Sequence, residues 1–195
     1  MSILWSRRRL IRASGLMVGL AALPFGRSLG RVSKRVGESV RIGESARVKR
    51  IALKNLHTPE SLEITFRRGE EYVPDALAAI QMLLRDFRTG DQHLIDPALL
   101  DYLHDVAVRA GVDPVFSVIS GYRSPRTNAM LHERSSGVAG GSLHMQGRAI
   151  DVRLAQVDCA DLAAHALTMG CGGVGYYRKS DFVHLDTGAF RTWRG

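Results

Sequence analysis

Two short segments of the chain carry imidazole and carboxylate side chains at spacings that suit a metal site. His144 and Asp151 belong to the segment 142–151, and His184 belongs to the segment 182–186. Two imidazoles and one carboxylate that meet at one point are a ligand set of catalytic zinc, which keeps a fourth position for water. The three side chains are therefore candidate ligands of a zinc ion.

The alternation of apolar residues around these side chains predicts how they are positioned. In the segments 149–154 and 182–186, every second residue is apolar, and Asp151, His184 and Asp186 occupy positions between the apolar ones. Successive side chains of a β-strand point to opposite faces of the sheet. If the two strands are neighbours, these polar side chains therefore project from one face, and the loop before the first strand delivers the remaining imidazole.

Periodicity elsewhere in the domain predicts an alternation of strands and helices. The predicted strands are 50–54 and 61–66, which form a hairpin, then 115–120 and 172–178. The predicted helices are 75–88, 97–110, 126–134 and 158–169. The glycine-rich segment 135–141 is expected to be a loop bordering the cleft, since no Gly-Lys-Ser/Thr closes it as a phosphate loop.

Two further side chains are candidates for the chemistry of the site. Arg123 follows the buried strand 115–120 and can donate to a developing oxyanion, or it can form a salt bridge that braces its turn. Asp181 stands three residues before His184 and is a candidate base for a metal-bound water. Asp186 competes for that role, although its position favours orienting a ligand imidazole.

The two cysteines are predicted to be unpaired with each other. Cys159 and Cys171 flank a predicted helix, which would separate them by about 18 Å at ~1.5 Å per residue. A disulfide needs Cα atoms within about 7 Å of each other. Both are expected to act as small core residues.

Charge is distributed unevenly along the chain. Residues 1–54 contain 13 Lys/Arg and 2 Asp/Glu, a net +11 against +8 for all 195 residues, so the remainder is net −3. A nucleic-acid-binding domain would need a basic face. The mildly acidic domain therefore makes nucleic-acid binding an unfavoured interpretation.

The N-terminus is typical of an export signal. Arg7, Arg8 and Arg9 precede the uncharged, mostly apolar segment 15–25, which is short for a membrane span of about 20 residues. The arginines are similar to a twin-arginine signal. Residues 1–30 are predicted to be this signal, although an uncleaved membrane anchor is the alternative, and the protein is expected in the periplasm or cell envelope.

Residues 31–49 are predicted to be a flexible basic linker, because they are rich in Arg, Gly and Ser. They could contact anionic membrane or wall polymer, or simply be solvated without a partner. The catalytic domain is then expected to span residues 50–195.

The motifs together resemble a known family. The pattern Ser142-x-His-x-x-Gly-x-Ala-x-Asp151, the later His184-x-Asp186 and the segment 120–125, Ser-Gly-Tyr-Arg-Ser-Pro, are similar to the D-alanyl-D-alanine carboxypeptidase-like zinc peptidases (the LAS superfamily). The resemblance is closest to the small exported murein endopeptidases of that superfamily, which share the Phe-Val-His-x-Asp-Thr-Gly…Arg-x-Trp pattern found at 182–193.

This resemblance implies an α+β fold of the Hedgehog/DD-peptidase-like type, with a small antiparallel sheet and flanking helices. It implies Zn²⁺ held by His144, Asp151 and His184, with Arg123 steadying the oxyanion. Tyr122 and Ser142 lie within the same motifs and are expected to contact substrate or the metal ligands. Many superfamily members carry Glu where this chain has the shorter Asp181.

The predicted function is zinc-dependent hydrolysis of peptide cross-links in peptidoglycan by a monomer that recognises the stem peptides. The alternatives are a carboxypeptidase acting on D,D or L,D bonds of free stems, a peptidoglycan-binding module without turnover, and an exported assembly factor that depends on its basic linker. The intact ligand triad favours the enzyme over the binding module.

Overall fold

A computed structural model of the chain describes residues 48–134 and 139–195. The predicted signal peptide, residues 31–47 of the predicted linker and residues 135–138 of the glycine-rich loop lie outside these ranges. Among the described residues, none of the helices has the length and apolar character needed to cross a membrane. Strand β1 includes Val48 and Lys49, so regular structure begins two residues before the predicted domain boundary.

Eight strands and four α-helices make up the described residues. The strands are β1 (Val48–Asn55), β2 (Ser61–Arg68), β3 (Glu71–Tyr72), β4 (Val115–Ser120), β5 (Ala149–Leu154), β6 (Gly173–Tyr177), β7 (Phe182–Asp186) and β8 (Arg191–Arg194). The helices are α1 (Pro74–Leu83), α2 (Pro97–Arg109), α3 (Pro125–Arg134) and α4 (Cys159–Met169), and a 3₁₀ turn spans Leu143–Gln146.

The strands form one mixed sheet in the order β3-β2-β1-β4-β5-β7-β6-β8. The β1–β4 and β6–β8 pairs are parallel, and the other pairs are antiparallel. The α+β class is confirmed, whereas the prediction of a small antiparallel sheet is wrong. Between β1 and β4 the chain passes through β2, β3 and two helices, which is long enough for these strands to pair in parallel. The two short strands β3 and β8 enlarge the sheet.

The sheet packs against α1, α2 and α4 to form the apolar core. The strands supply fully buried side chains such as Phe66, Phe116, Ile150 and Leu185, and the helices supply Leu103 and Leu162 among others. Burying a side chain of this size contributes about 1.5–3 kcal/mol. The apolar positions of β5 and β7 are therefore fixed toward this core, which fixes the polar positions toward the other face.

Helix α1 ends at Leu83, five residues before the predicted end at Arg88. The helix does not continue because the backbone beyond it forms hydrogen bonds outside the helix. The carbonyl oxygen of Leu84 accepts from the amide of Tyr122 at 2.8 Å. Asp86 Oδ2 accepts from the amide of Ser124 at 3.0 Å. The segment after α1 therefore supports the turn that carries Arg123.

The cysteines are unpaired, as predicted. Cys159 is buried in the core, which confirms its predicted environment. Cys171 is exposed, so the prediction of a core residue is wrong at that position. It follows the C-terminus of α4, where Gly170 has a φ of 64° and turns the chain outward.

Candidate metal centre and active site

Strands β5 and β7 bring two of the predicted ligands together. Asp151 lies directly opposite His184 in the antiparallel register, and Asp151 Oδ1 is 2.9 Å from His184 Nδ1. Val152 and Val183, the next pair in the register, point into the core. The alternation that was read from the sequence therefore places the carboxylate and the imidazole side by side on the face away from that core.

The third predicted ligand comes from the 3₁₀ turn before β5. The amide of His144 donates to the hydroxyl of Ser142, which caps the turn, at 3.4 Å. Gly147 ends the turn with a φ of 65°, and a Cβ there would lie 3.0 Å from the carbonyl carbon of Leu94. Glycine at this position lets the chain reverse tightly into β5, which aims the imidazole at the strand pair.

Three ligand atoms meet at one point in the buried cluster formed by His144, Asp151 and His184. His144 Nε2 lies 3.2 Å from His184 Nδ1 and 3.3 Å from Asp151 Oδ1. Ligands about 2.0–2.1 Å from a tetrahedral zinc ion lie about 3.3 Å from one another. The spacing of these atoms therefore fits a small tetrahedral cation.

Hydrogen bonds fix the orientation of both imidazoles. His144 Nδ1 is 2.7 Å from the carbonyl oxygen of Gly121, which can only accept, so this nitrogen carries the proton. His184 Nε2 is 2.9 Å from Asp186 Oδ2. Each ring thus presents its other nitrogen to the cluster, as in metal sites where a carbonyl or carboxylate orients the ligand. The role of Asp186 in orienting a ligand imidazole stays a prediction.

Electrostatics in the cluster also favour a cation. Burial raises the pKa of Asp151, but the charges and hydrogen bonds of His144, His184 and Arg123 outweigh it and hold the pKa well below its usual value. Burial lowers the pKa of His144. Burial also lowers that of His184, but Asp151 and Asp186 reverse this effect and raise its pKa. A proton on His184 would bridge the two carboxylates, and a metal ion can replace that proton.

Arg123 lies at the edge of the cluster and lines the cleft. Its Nη2 donates to Asp151 Oδ2, and its Nε donates to Ser120 Oγ at 2.8 Å. A register shift between Val118 and Ser120 marks a bulge at the end of β4, which redirects the chain into this turn. The arginine therefore both braces the turn and faces the space next to the ligand atoms.

The structure does not bring Asp181 to the cluster. Its side chain is 68% exposed, and its Oδ2 lies 3.3 Å from Arg153 Nε. The residue has a φ of 52° in the turn before β7. Asp151 is the carboxylate that lines the cleft among the described residues. The role of Asp181 as a base therefore stays a prediction.

Ser142 and Tyr122 take different positions. Ser142 lines the cleft beside His144. Tyr122 is buried, and its ring stacks on His93 with centroids 5.0 Å apart. Tyr122 thus supports the Arg123 turn from behind, away from the residues that line the cleft.

An open cleft of about 440 Å³ lies over the cluster. The aromatic side chains of Tyr177, Phe182 and Trp193 line the cleft, and so does Arg191. The ring of Trp193 lies 5.1 Å from that of His184. Arg191 and Trp193 were not predicted as site residues, because β8 lacks an apolar alternation. The available signal was the Arg-x-Trp pattern at the end of the chain.

Comparison with known proteins gives a consistent set of matches. The family model described as peptidoglycan L,D-endopeptidase MepK matches residues 43–193. The peptidoglycan L,D-endopeptidase MepK of Escherichia coli K12 is 36% identical over 188 residues, which cover 96% of this chain and 97% of the relative. The probable peptidoglycan L,D-endopeptidase MepK of Haemophilus influenzae is 34% identical over 191 residues, which cover 97% and 96%. No solved structure gives a significant match.

Proposed function

We propose that the chain hydrolyses peptide cross-links of peptidoglycan with the help of a bound metal ion. The chain belongs to the peptidoglycan L,D-endopeptidase MepK family. The observation that carries the proposal is the convergence of three ligand atoms, from His144, Asp151 and His184, within 2.9–3.3 Å of one another. We further propose a fold of the Hedgehog/DD-peptidase-like type and a monomer that takes stem peptides into the cleft.

Zn²⁺ is the metal that suits these ligands best. Two imidazole nitrogens and one carboxylate oxygen in tetrahedral spacing leave one position open, which is the arrangement of catalytic zinc sites. When bound, zinc lowers the pKa of a water molecule to about 7 and polarises a carbonyl group. Gly121 and Asp186 hold the imidazoles of His144 and His184 so that Nε2 of the first and Nδ1 of the second face the cluster, and little reorganisation is needed for binding.

Arg123 is proposed to stabilise the negative charge that develops on the scissile carbonyl oxygen. Its guanidinium lies beside Asp151 and faces the cleft, and its other contacts hold it in place before substrate arrives. Preorganised donors of this kind contribute about 10²–10³ in kcat.

Asp181 is proposed to move the proton from the attacking water to the leaving amine. Its exposed carboxylate would have to turn from Arg153 toward the cleft, whose rim is formed by the neighbouring Ser180 and Phe182. Asp186 is poorly suited to this role, because it is fully buried and accepts hydrogen bonds from His184, Arg191 and two backbone amides. These contacts outweigh the effect of burial and hold its pKa far below the usual value.

The family membership also supports action in the cell envelope, where peptidoglycan lies. We propose that residues 1–30 are a twin-arginine-type export signal, and that residues 31–47, with the first two residues of β1, connect it to the domain. A basic connection of this kind would be attracted to anionic membrane or wall polymer.

Cleavage of defined cross-linked muropeptides, followed by mass spectrometry, tests the proposal. We expect the purified chain to convert dimers to monomers, to lose this activity with a chelator and to regain it when Zn²⁺ is added. His184→Ala should lose both metal and activity, while His165→Ala on α4 serves as the matched control. Cleavage that persists in the chelator or in His184→Ala would contradict a metal-dependent endopeptidase.

The same assay separates the alternative functions. Loss of a terminal residue from free stem peptides, with dimers left intact, would indicate a carboxypeptidase. Binding of peptidoglycan without any product would indicate a binding module, and deletion of residues 31–47 tests a role that depends on the basic linker.

A further inference from the structure

The carboxylate of Asp186 lies in a socket, a ring of hydrogen-bond donors that provides more donors than the imidazole of His184 alone. The side chain is fully buried, and five N–H groups are directed at its two oxygens. Oδ1 accepts from the amides of Gly173 and Gly188 at 3.0 and 2.8 Å. Oδ2 accepts from His184 Nε2 at 2.9 Å. The remaining two donors come from the guanidinium of Arg191.

Arg191 binds the carboxylate in a bidentate manner. Its Nη1 lies 3.0 Å from Asp186 Oδ1 and its Nη2 lies 2.7 Å from Oδ2. Two parallel N–H···O bonds fix the plane of the carboxylate, which a single point charge does not do. The arginine comes from the edge strand β8, and its own side chain is 45% exposed. A partly exposed arginine thus provides two of the hydrogen bonds to the buried carboxylate of Asp186.

Gly173 and Gly188 leave room for the Arg191 guanidinium, and a side chain at either position would collide with it. A Cβ on Gly173 would lie 2.6 Å from Arg191 Nη1, and one on Gly188 would lie 3.0 Å from the same atom. The two glycines therefore give the guanidinium direct access to the carboxylate. Their amides supply the two hydrogen bonds that complete the socket.

Arg191 also contacts the other neighbour of the ligand imidazole. Its Cζ lies 5.1 Å from the ring centroid of Trp193, within the range of a cation–π contact. The Trp193 ring in turn lies 5.1 Å from the His184 ring. One arginine therefore holds both the carboxylate at the edge of His184 and the indole beside it.

We infer that Arg191 is a positioning residue, which acts through Asp186 to hold His184 with its Nδ1 directed at the metal. The inference rests on the proposed function, since it assumes that His184 is a ligand. Without the guanidinium, the buried carboxylate keeps the two amides on Oδ1 but loses its bidentate partner, so Oδ2 is held by His184 alone and its contact with the imidazole is less rigid. Loss of an outer partner of this kind costs about 10- to 100-fold in metal affinity or activity.

Zn²⁺ affinity, measured by competition with a chromogenic chelator on the full chain, tests the inference without an activity assay. We expect Arg191→Met to bind Zn²⁺ about 10- to 100-fold more weakly than the wild type. Arg191→Lys keeps the charge without the planar fork and should restore only part of the affinity. Arg194→Met removes an exposed arginine from the same strand and should bind as the wild type does.

A double-mutant cycle separates an effect through Asp186 from general loosening of the edge strand. If Arg191 acts through the carboxylate, Arg191→Met should add little to the loss already caused by Asp186→Asn. Fully additive losses would overturn the inference. The absorption spectrum of the Co²⁺-substituted protein gives a second readout, which should change in Arg191→Met and not in Arg194→Met.

The outcomes distinguish this inference from the proposed function. Unchanged Zn²⁺ affinity in Arg191→Met overturns the inference alone. A wild-type chain that binds no Zn²⁺ overturns the metal centre itself. If Arg191→Met does not fold, as judged by thermal unfolding, the comparison of Arg191→Lys with Arg194→Lys decides, and equal affinities of those two variants would overturn the inference.

Discussion

The carboxylate of Asp181 pairs with Arg153, with Asp181 Oδ2 3.3 Å from Arg153 Nε. Arg153 also donates to the backbone oxygens of Asp181 and Ser180. The arginine follows Asp151 by two positions on β5, so both side chains lie on the face of the sheet that carries the candidate metal ligands. The candidate base is therefore paired with an arginine on the strand that also carries the candidate ligand Asp151.

If Asp181 is the base, its loss should separate metal binding from turnover. We expect Asp181→Ala to bind Zn²⁺ as the wild type does and to lose about 10²–10⁴ in kcat, the usual contribution of a positioned base. Muropeptide cleavage and chelator competition measure the two effects. Asp161→Ala on α4 is the matched control, and wild-type turnover in Asp181→Ala would assign the base to another group.

Removal of the ion-pair partner probes the same residue from the other side. Arg153→Gln removes the ion pair of the Asp181 carboxylate, so kcat should stay near the wild-type value, because an ion pair at this exposure contributes only about 0–1 kcal/mol. A loss as large as that of Asp181→Ala would mean that the hydrogen bonds of Arg153 to the turn matter more than the freedom of the carboxylate.

The meeting of His144, Asp151 and His184 could be predicted from the sequence because it depends on local properties. The side chains of a strand alternate, so the apolar neighbours of Asp151 and His184 fix which face each one takes. Their contact also needed β5 and β7 to be neighbours, which the similar patterns of the two segments suggested and the register confirms. The 3₁₀ turn that aims His144 was not predicted, although Gly147 marked its end.

Features that depend on contacts between residues far apart in the sequence could not be predicted from local patterns. Strand β8 has no apolar alternation, and its parallel pairing with β6 brings Arg191 to Asp186 only after the sheet has formed. The orientation of Asp181 depends on Arg153, and the early end of α1 depends on the turn at Tyr122. The mixed sheet could not be predicted either, because the apolar pattern of a strand does not show whether its neighbour runs parallel or antiparallel.

Arg123 should affect turnover more than substrate binding. It faces the cleft beside Asp151, so Arg123→Met is expected to lower kcat by about 10²–10³ and change KM less. Arg123→Lys should recover only part of the rate, because it lacks the planar fork.

The alternative role of Arg123, bracing its turn, has a separate control. Ser120→Ala removes the hydrogen bond from Arg123 Nε and leaves the pair with Asp151 in place. We expect this variant to lose some stability and to keep most of its kcat. A normal kcat in Arg123→Met, with only a lower melting temperature, would favour the structural role.

Gly175 should be intolerant of any side chain, because Trp193 packs over it. A Cβ there would lie 2.6 Å from two atoms of the indole, so Gly175→Ala must displace the ring that stands beside His184. We expect a loss of about 1–3 kcal/mol, as in other overpacked sites. Tryptophan fluorescence should also change, since the chain contains just two tryptophans, Trp5 and Trp193.

The matched control for this substitution is Gly140→Ala. A Cβ at Gly140 would meet no atom of the described residues within 4 Å, and its φ is not in the left-handed region, so stability and fluorescence should stay unchanged. If Gly175→Ala is as stable as the wild type with the same emission spectrum, then Trp193 does not pack over Gly175 as described.

Asp101 on α2 should make stability depend on pH in acid. Lys49 Nζ lies 2.8 Å from Oδ1, Arg67 Nη1 lies 2.8 Å from Oδ2, and Tyr72 also donates to Oδ2. Burial raises the pKa of Asp101, but these partners outweigh it and hold the pKa below its ordinary value of 3.8. The carboxylate thus joins β1, β2 and β3 to the helix.

A depressed folded-state pKa means that the unfolded chain takes up the proton first as the pH falls. The contribution of Asp101 to the free energy of unfolding is therefore complete above pH 3.8 and is lost as the pH drops through the lower folded-state pKa. We expect Asp101→Asn to cost about 1–3 kcal/mol near neutral pH, as expected for hydrogen bonds to charged groups.

Urea unfolding of the two proteins at a series of pH values checks this expectation. The difference between wild type and Asp101→Asn should shrink as the pH falls below 4, because the wild-type carboxylate becomes protonated. Asp113→Asn, at an exposed position after α2, should follow the wild-type curve throughout. A difference that stays constant down to the acid transition would mean that the shape of the side chain, and not its charge, connects the sheet to α2.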